Sequence, residues 1–151
     1  MRRYHSGKGL TVDDIIAILP APTSESAPFW EGCNRGELLL QRCEACRHVF
    51  YYPRLFCPRC GDRKLVWQAA SGRGVVYSFT HVEVSFYGPK WESQLPYTPV
   101  LVDLEEGVRM LSRLVGADRA NVKIGNRVAL SFVAFEKQQL PFFTLVPLYP
   151  C

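Results

Sequence analysis

The chain has 151 residues, 48% of them apolar and 21% charged, and its 18 Lys and Arg against 14 Asp and Glu leave a net charge of +4. Such a composition belongs to one globular domain or two small ones and excludes a mainly disordered, collagenous or coiled-coil chain. The longest unbroken apolar run, residues 15–19, falls far short of the ~20 residues that a transmembrane helix needs.

The basic opening, with Arg2, Arg3 and Lys8, leads into Thr11, Val12, Asp13 and Asp14 instead of an apolar stretch. It does not read as a secretory signal, so a cytoplasmic, reducing setting is the expectation. Residues 11–19 then predict a short helix, with Thr11 as N-cap, Asp13 and Asp14 in the first turn and Pro20 as its stop. A polar, proline-containing linker follows over residues 20–26. A second helix is expected from Pro28 to Arg35, opened by Ser26 and closed by Gly36. Phe29 and Trp30 would anchor it, on the chain's own core or on a partner, because a helix of barely two turns draws its stability from tertiary packing.

Next come Cys43-Glu-Ala-Cys46 and Cys57-Pro-Arg-Cys60, two Cys-x-x-Cys pairs ten residues apart. Each pair can set two sulfurs on one side of a tight turn, and two such turns facing each other form the tetrahedral cage that Zn²⁺ accepts at ~2.3 Å per bond. Gly61, directly after the second pair, can take the positive φ such a turn uses. Four cysteine ligands leave no open position for substrate or water, so the zinc would be structural. Iron in a single four-cysteine site has the same ligand set, while disulfides fit poorly with a chain that has no export signal. Residues 47–56, rich in aromatic and β-forming side chains, predict a short hairpin between the knuckles. Cys33, within the second helix, and Cys151, at the terminus, fall outside the pattern and read as a buried and an incidental thiol.

The charge is concentrated in the same place. Residues 1–32, 33–66 and 67–151 carry net charges of −1, +4 and +1, so the knuckle segment holds the whole excess. A basic patch on a small module can attract phosphates of a nucleic acid or a phosphorylated cofactor. Equally, Arg35, Arg42, Arg47, Arg54, Arg59, Arg63 and Lys64 read as solvated loop residues that offset four metal-bound thiolates.

From residue 73 the apolar period changes to two. Val75, Tyr77 and Phe79 form one phase, which slips to Val82, Val84 and Phe86, the mark of a bulge or sharp bend in one long strand. Val100, Val102 and Leu104 face Val108, Met110 and Leu114 across Glu105-Glu106-Gly107, a hairpin with glycine where its turn needs one. Val128, Leu130, Phe132 and Ala134 make a fourth strand, entered through Ile124-Gly125-Asn126, and residues 142–146 make a fifth. Five strands, the first long and bent, suit a small Greek-key barrel of the OB type; an open five-stranded sheet has the same alternation. The fold class is thus mainly β, with N-terminal helices, a zinc ribbon and a C-terminal five-stranded OB-fold barrel. Three segments follow: 1–25 as helix and linker, 26–68 as helix plus ribbon, and 69–151 as the OB-fold domain.

With these pieces in order, the chain resembles the proteins in which a rubredoxin-like zinc ribbon is fused to an OB-fold, catalogued as domain of unknown function 35. The resemblance runs over residues 26–146. Its marks are Phe29-Trp30-Glu31-Gly32, the run from Gly36 to Cys43, both knuckles with Pro53-Arg54 between them, the Gly72 to Thr80 strand, and Ile124 to Val128. The resemblance implies a non-catalytic subunit of thiolase-type enzymes, namely acetyltransferases, retro-aldolases of steroid side-chain degradation or ketone-forming acyltransferases. It also implies that the OB half helps to hold a CoA ester while ribbon and helices bridge to the catalytic partner, which in some cases is a hydratase of the hot-dog type. The zinc carries over onto Cys43, Cys46, Cys57 and Cys60, all four of which are present.

Chemistry of the chain's own is not expected. His5, His48 and His81 fall in a tail, a knuckle loop and a strand, and no nucleophile elbow, His-Glu-x-x-His or phosphate-cradling loop is present. His81 near Glu83 reads as a structural pair. Acyl-CoA offers flat adenine and anionic phosphates, which arginines and aromatics recognise. The candidate contacts to ester or partner are Arg54, Phe56 and Arg59 of the ribbon and Tyr87, Trp91 and Tyr97 of the long loop at residues 86–98, with Phe29 and Trp30; that loop could equally be a lid on the barrel. A single-stranded nucleic-acid module is the alternative. It needs a basic groove with stacking aromatics, whereas the central hairpin sets Asp103, Glu105 and Glu106 against Arg109 and Arg113.

Overall fold

The computed structural model describes residues 21–86 and 88–147. The helix expected at 11–19, Tyr87 and Cys151 lie outside them. Helix α1 (Ala27–Asn34) leads into the ribbon strands β1 (Leu39–Cys43), β2 (Val49–Phe50) and β3 (Leu65–Ala69). There follow β4 (Arg73–Phe79), the one-turn helix α2 (Pro89–Glu92), β5 (Thr98–Leu104), β6 (Arg109–Leu114), a 3-10 turn (Ala117–Asn121), β7 (Arg127–Phe135) and β8 (Gln138–Leu145). No helix among the described residues is long and apolar enough to cross a membrane.

Helix α1 forms where its signals place it. Ser26 precedes it, but the Ser26 hydroxyl accepts from the Thr23 N–H at 2.8 Å and gives no side-chain cap to the helix. At the other end Gly36, at φ +80°, lets the Glu37 N–H reach back to the Gly32 carbonyl at 2.9 Å, which satisfies a terminal acceptor.

In the ribbon, β1 is the central strand of a sheet ordered β2-β1-β3, all antiparallel. The hairpin expected between the knuckles is not there. Strand β2 pairs instead with β1, Gln41 opposite Phe50 and Arg42 opposite Val49, so the first knuckle is itself the hairpin turn. Residues 51–56 run on as a loop because Pro53 has no N–H to give a ladder.

The second sheet closes into a five-stranded barrel of order β4-β5-β6-β8-β7, the OB arrangement, with β6 and β8 parallel. Strand β5 alternates cleanly, with Thr98, Val100, Val102 and Leu104 inward. Met110, Leu114, Val128 and Phe143 fill the interior from the other strands. Burying each of these side chains contributes on the order of 1.5–3 kcal/mol. Phe29, Cys33, Leu38 and Leu40 of helix and ribbon belong to the same core cluster, so ribbon and barrel share one apolar interior.

Strand β4 departs from the expected phase. The bulge lies between Val76 and Ser78, earlier than the slip in the sequence pattern suggests. Ahead of it Gly74 and Val76 point inward, while Val75 and Tyr77 are 41% and 46% exposed. Two contacts explain this. A Cβ on Gly74 would stand 2.5 Å from the Asp103 carbonyl oxygen, so no side chain fits on that face. Turned outward, the Tyr77 ring carries the Arg109 guanidinium at 3.2 Å from its centroid. The strand ends at Phe79, and Val82 makes only an isolated bridge to Tyr97. The fifth strand begins at Gln138, four residues before the expected start, and includes Pro141.

Candidate metal centre and ligand cleft

The two knuckles are geometrically alike. The Arg47 N–H donates to the Cys43 carbonyl and the Gly61 N–H to the Cys57 carbonyl, both at 2.9 Å, and both residues sit at positive φ, +59° and +78°. These turns bring the four sulfurs of Cys43, Cys46, Cys57 and Cys60 within 4.8 Å of one another. Across the knuckles Cys43 Sγ lies 3.6 Å from Cys60 Sγ, and Cys46 Sγ 3.6 Å from Cys57 Sγ. A tetrahedral site with bonds of ~2.3 Å has edges of about 3.8 Å, so the cage fits a zinc-sized ion.

The thiols of the second knuckle are perturbed by their surroundings in opposite directions. Burial would raise the Cys57 thiol, but the backbone N–H groups of Cys60 and Arg59 and the neighbouring thiols bring it down to about 7. The Asp62 backbone favours the Cys60 thiolate, yet Cys46, burial, Cys43 and Cys57 push Cys60 up to about 12. Thiolates as close as these sulfurs repel one another, and a divalent cation would offset that repulsion. Cys33 is a different case. Fully enclosed in the core, it is pushed up to about 12 by burial and is no nucleophile.

A cleft of about 580 Å³ lies between α1, the ribbon loop and the side of the barrel. That volume is inside the ~300–1,000 Å³ typical of small-molecule sites. Trp30 of α1, Tyr51 of the ribbon loop, Trp91 of α2, Tyr97 and Phe142 form much of its wall, with Met110 and Leu140 between them. The helix is held there by the Gln138 amide, which donates to the Trp30 carbonyl at 3.3 Å and the Asn34 side-chain oxygen at 3.0 Å. On the barrel side the cleft meets the seam between β6 and β8, where Ser112 Oγ donates to the Pro141 carbonyl at 2.6 Å.

Arg113 is the single charged residue among the described residues of the lining. It donates to the Gln94 carbonyl at 3.0 Å and the Gln94 amide oxygen at 3.2 Å, and stacks on Tyr97 at 5.0 Å. Burial lowers its pKa from the ordinary value, Tyr97 opposing. The loop between β4 and β5 is thereby fastened to the barrel.

Of the residues singled out from sequence, Trp30, Trp91 and Tyr97 converge on this cleft. Phe29, at 3% exposure, packs behind it against Trp30 and Tyr51 and takes the core option. Arg54, Phe56 and Arg59 are exposed on the ribbon and do not line it. Tyr87 is outside the described residues. His81 is bonded through Nδ1 to the buried Thr98 hydroxyl at 3.0 Å, not to Glu83.

Sequence reasoning missed Arg113, Gln94 and Tyr51 as cleft residues. Arg113 carried one usable signal. Arg109 has Asp103 as its cross-strand neighbour, but Arg113 is opposite Pro99 and so is a strand cation with no acid across from it.

Residues 30–66 match the family model "ChsH2, rubredoxin-like zinc ribbon domain" and residues 67–133 match "ChsH2, C-terminal OB-fold domain". The chain is 38% identical over 130 residues to the 3-oxo-4,17-pregnadiene-20-carboxyl-CoA hydratase alpha subunit of Mycobacterium tuberculosis, covering 82% of this chain and 39% of that protein. It spans less than two fifths of the length of the curated hydratase alpha subunits it matches. A DUF35 domain-containing scaffold protein of Methanothermobacter thermautotrophicus is 31% identical over 100 residues, 66% of this chain and 74% of that protein. Among solved structures, a chain of the Ltp2-ChsH2(DUF35) aldolase superposes with a TM-score of 0.75 at 32% identity, covering 84% of this chain and 98% of that one.

Proposed function

We propose, because the chain belongs to the DUF35 family of zinc-ribbon and OB-fold proteins, that it is a non-catalytic accessory subunit. It holds a CoA ester for, or bridges to, a thiolase-like enzyme in acyl-CoA metabolism. The observation that carries this reading is the aromatic cleft, which joins helix, ribbon and barrel around one half-buried arginine. The four-cysteine cage holds a structural zinc that keeps the ribbon, and with it Tyr51, in place.

Support comes from two directions. Among the described residues the thiol outside the cage is enclosed in the core and His81 is committed to Thr98, so neither is set up as a nucleophile or base. The relatives are named as scaffold proteins, as part of an aldolase assembly and as a hydratase alpha subunit. An aldolase partner of thiolase type and a hot-dog hydratase partner both fit these names.

A tagged pull-down from the native host at moderate salt, read by mass spectrometry, tests the reading. Near-stoichiometric recovery of a thiolase-like or hydratase-like protein is expected. Recovery of the chain alone, or with nucleic acid, overturns it.

A further inference from the structure

The chemistry of the cleft says which part of a CoA ester it suits. A nucleotide end carries three phosphate groups, and phosphates are recognised by clustered cations or by backbone N–H groups at a helix start. The described residues of the lining offer neither. Its one described cation, Arg113, gives two of a guanidinium's five N–H donors to Gln94 and lies against Tyr97. Helix α1 contributes Trp30 from its middle. Arg54 and Arg59, the arginines that could meet phosphates, stand on the ribbon and not in the lining.

What the cleft does offer is apolar surface. Aromatic faces of Trp30, Tyr51, Trp91, Tyr97, Phe135 and Phe142 surround it, and about 580 Å³ is more than a two-carbon acyl group can occupy. Such a wall gains free energy in proportion to the apolar area that a ligand removes from water.

We infer that the cleft is an acyl pocket. It takes the bulky apolar acyl group of the thioester, while the nucleotide end lies outside it. Arg113, at the Gln94 end, is the positioning group for an oxygen on that acyl group, and Trp91 is the wall that the β4–β5 loop supplies. This rests on the accessory-subunit reading but differs from it in what it requires, since the preference for the acyl end belongs to the isolated chain.

Calorimetric titration of the full zinc-loaded chain with free CoA, acetyl-CoA and octanoyl-CoA tests it. Octanoyl-CoA should bind at least tenfold tighter than the other two. Two of the three tryptophans line the cleft, so the same addition should also shift the tryptophan fluorescence. Trp91→Ala, checked for folding by thermal melt, should bring octanoyl-CoA to the affinity of acetyl-CoA while leaving any binding of free CoA unchanged. Equal affinity for all three ligands means nucleotide recognition and overturns the inference, as does the absence of octanoyl-CoA binding. A partner recovered in the pull-down alongside either of those results overturns the acyl pocket and leaves the accessory reading standing.

Discussion

The side chain of Gln41 closes a two-way clamp on the backbone of Arg54: its amide nitrogen donates to the Arg54 carbonyl at 3.1 Å and its oxygen accepts the Arg54 N–H at 2.7 Å. Gln41 is buried in the central ribbon strand, and the loop it holds begins at Tyr51, a wall of the cleft. Gln41→Leu leaves a donor and an acceptor without these partners, so it should cost about 1–3 kcal/mol. Gln41→Glu keeps the acceptor and loses the donor, and should not restore the wild-type value. Urea unfolding of the metal-loaded variants measures both; an unchanged midpoint in the leucine variant would show that the clamp contributes nothing.

Metal analysis should find one zinc per chain, and Cys43→Ser or Cys57→Ser should reduce it to near zero. Because Leu38 and Leu40 of the ribbon lie in the same core as Val76 and Phe143 of the barrel, the loss should be felt beyond the ribbon. Chelation is expected to lower the melting temperature of the whole chain and change the near-ultraviolet circular dichroism of the cleft aromatics. A barrel whose melt is unaffected by chelation would contradict a shared core.

The parts of the fold legible in the sequence are those written in local pattern. Cys-x-x-Cys spacing, glycine at the helix end and the clean alternation of β5 each name their own geometry. What the sequence hid depends on pairs distant along the chain. Nothing near Gly74 announces the Asp103 carbonyl against which it packs, so the inward phase of β4 was read from its outward residues. Likewise the cleft joins Trp30 to Phe142, and only closure of the barrel by β8 brings those segments together. The aromatic loop was visible as a candidate because its composition is unusual, whereas Arg113 was read only as one of the charges of the central hairpin.

Two glycines test different physical limits. At Gly74 the backbone is unremarkable in φ but an added methyl collides with the Asp103 carbonyl and a Val102 methyl, so Gly74→Ala should cost about 1–3 kcal/mol through overpacking. At Gly61 a Cβ would meet nothing within 4 Å, yet φ is +78°. Gly61→Ala should therefore cost about 1–2 kcal/mol from left-handed backbone alone. Chemical denaturation separates them when combined with a Val102 variant: truncating Val102 should soften only the Gly74 effect.

Arg113 fastens the β4–β5 loop through charge, stacking and two bonds to one residue. Arg113→Gln removes the stack on Tyr97 and the paired donors to Gln94, an expected loss of about 1–2 kcal/mol. Arg113→Lys should recover little of it, since an ammonium cannot reproduce the planar fork. Amide hydrogen exchange supplies the local readout: faster exchange at residues 91–95, with the barrel strands protected as before, is the expected pattern. Uniformly faster exchange would mean that Arg113 serves the barrel and not the loop.

Acid should weaken the outer face of the barrel. The Arg109 side chain donates to Asp103 at 2.7 and 3.0 Å and holds its carboxyl below the ordinary value, and Arg73 does the same for Glu105. A carboxyl whose folded pKa is depressed stabilises the fold above its unfolded value and loses that contribution as pH falls through the folded one. Both pairs are solvent-exposed, so each effect is modest and screened by salt. Asp103→Asn should thus be less stable than the wild type at pH 7, and the gap should narrow as pH falls below about 4, the ordinary carboxylate range. Denaturation midpoints at pH 7 and pH 3, each at low and high salt, measure it. A gap that stays constant with pH would show that Asp103 acts through its packing and not through its charge.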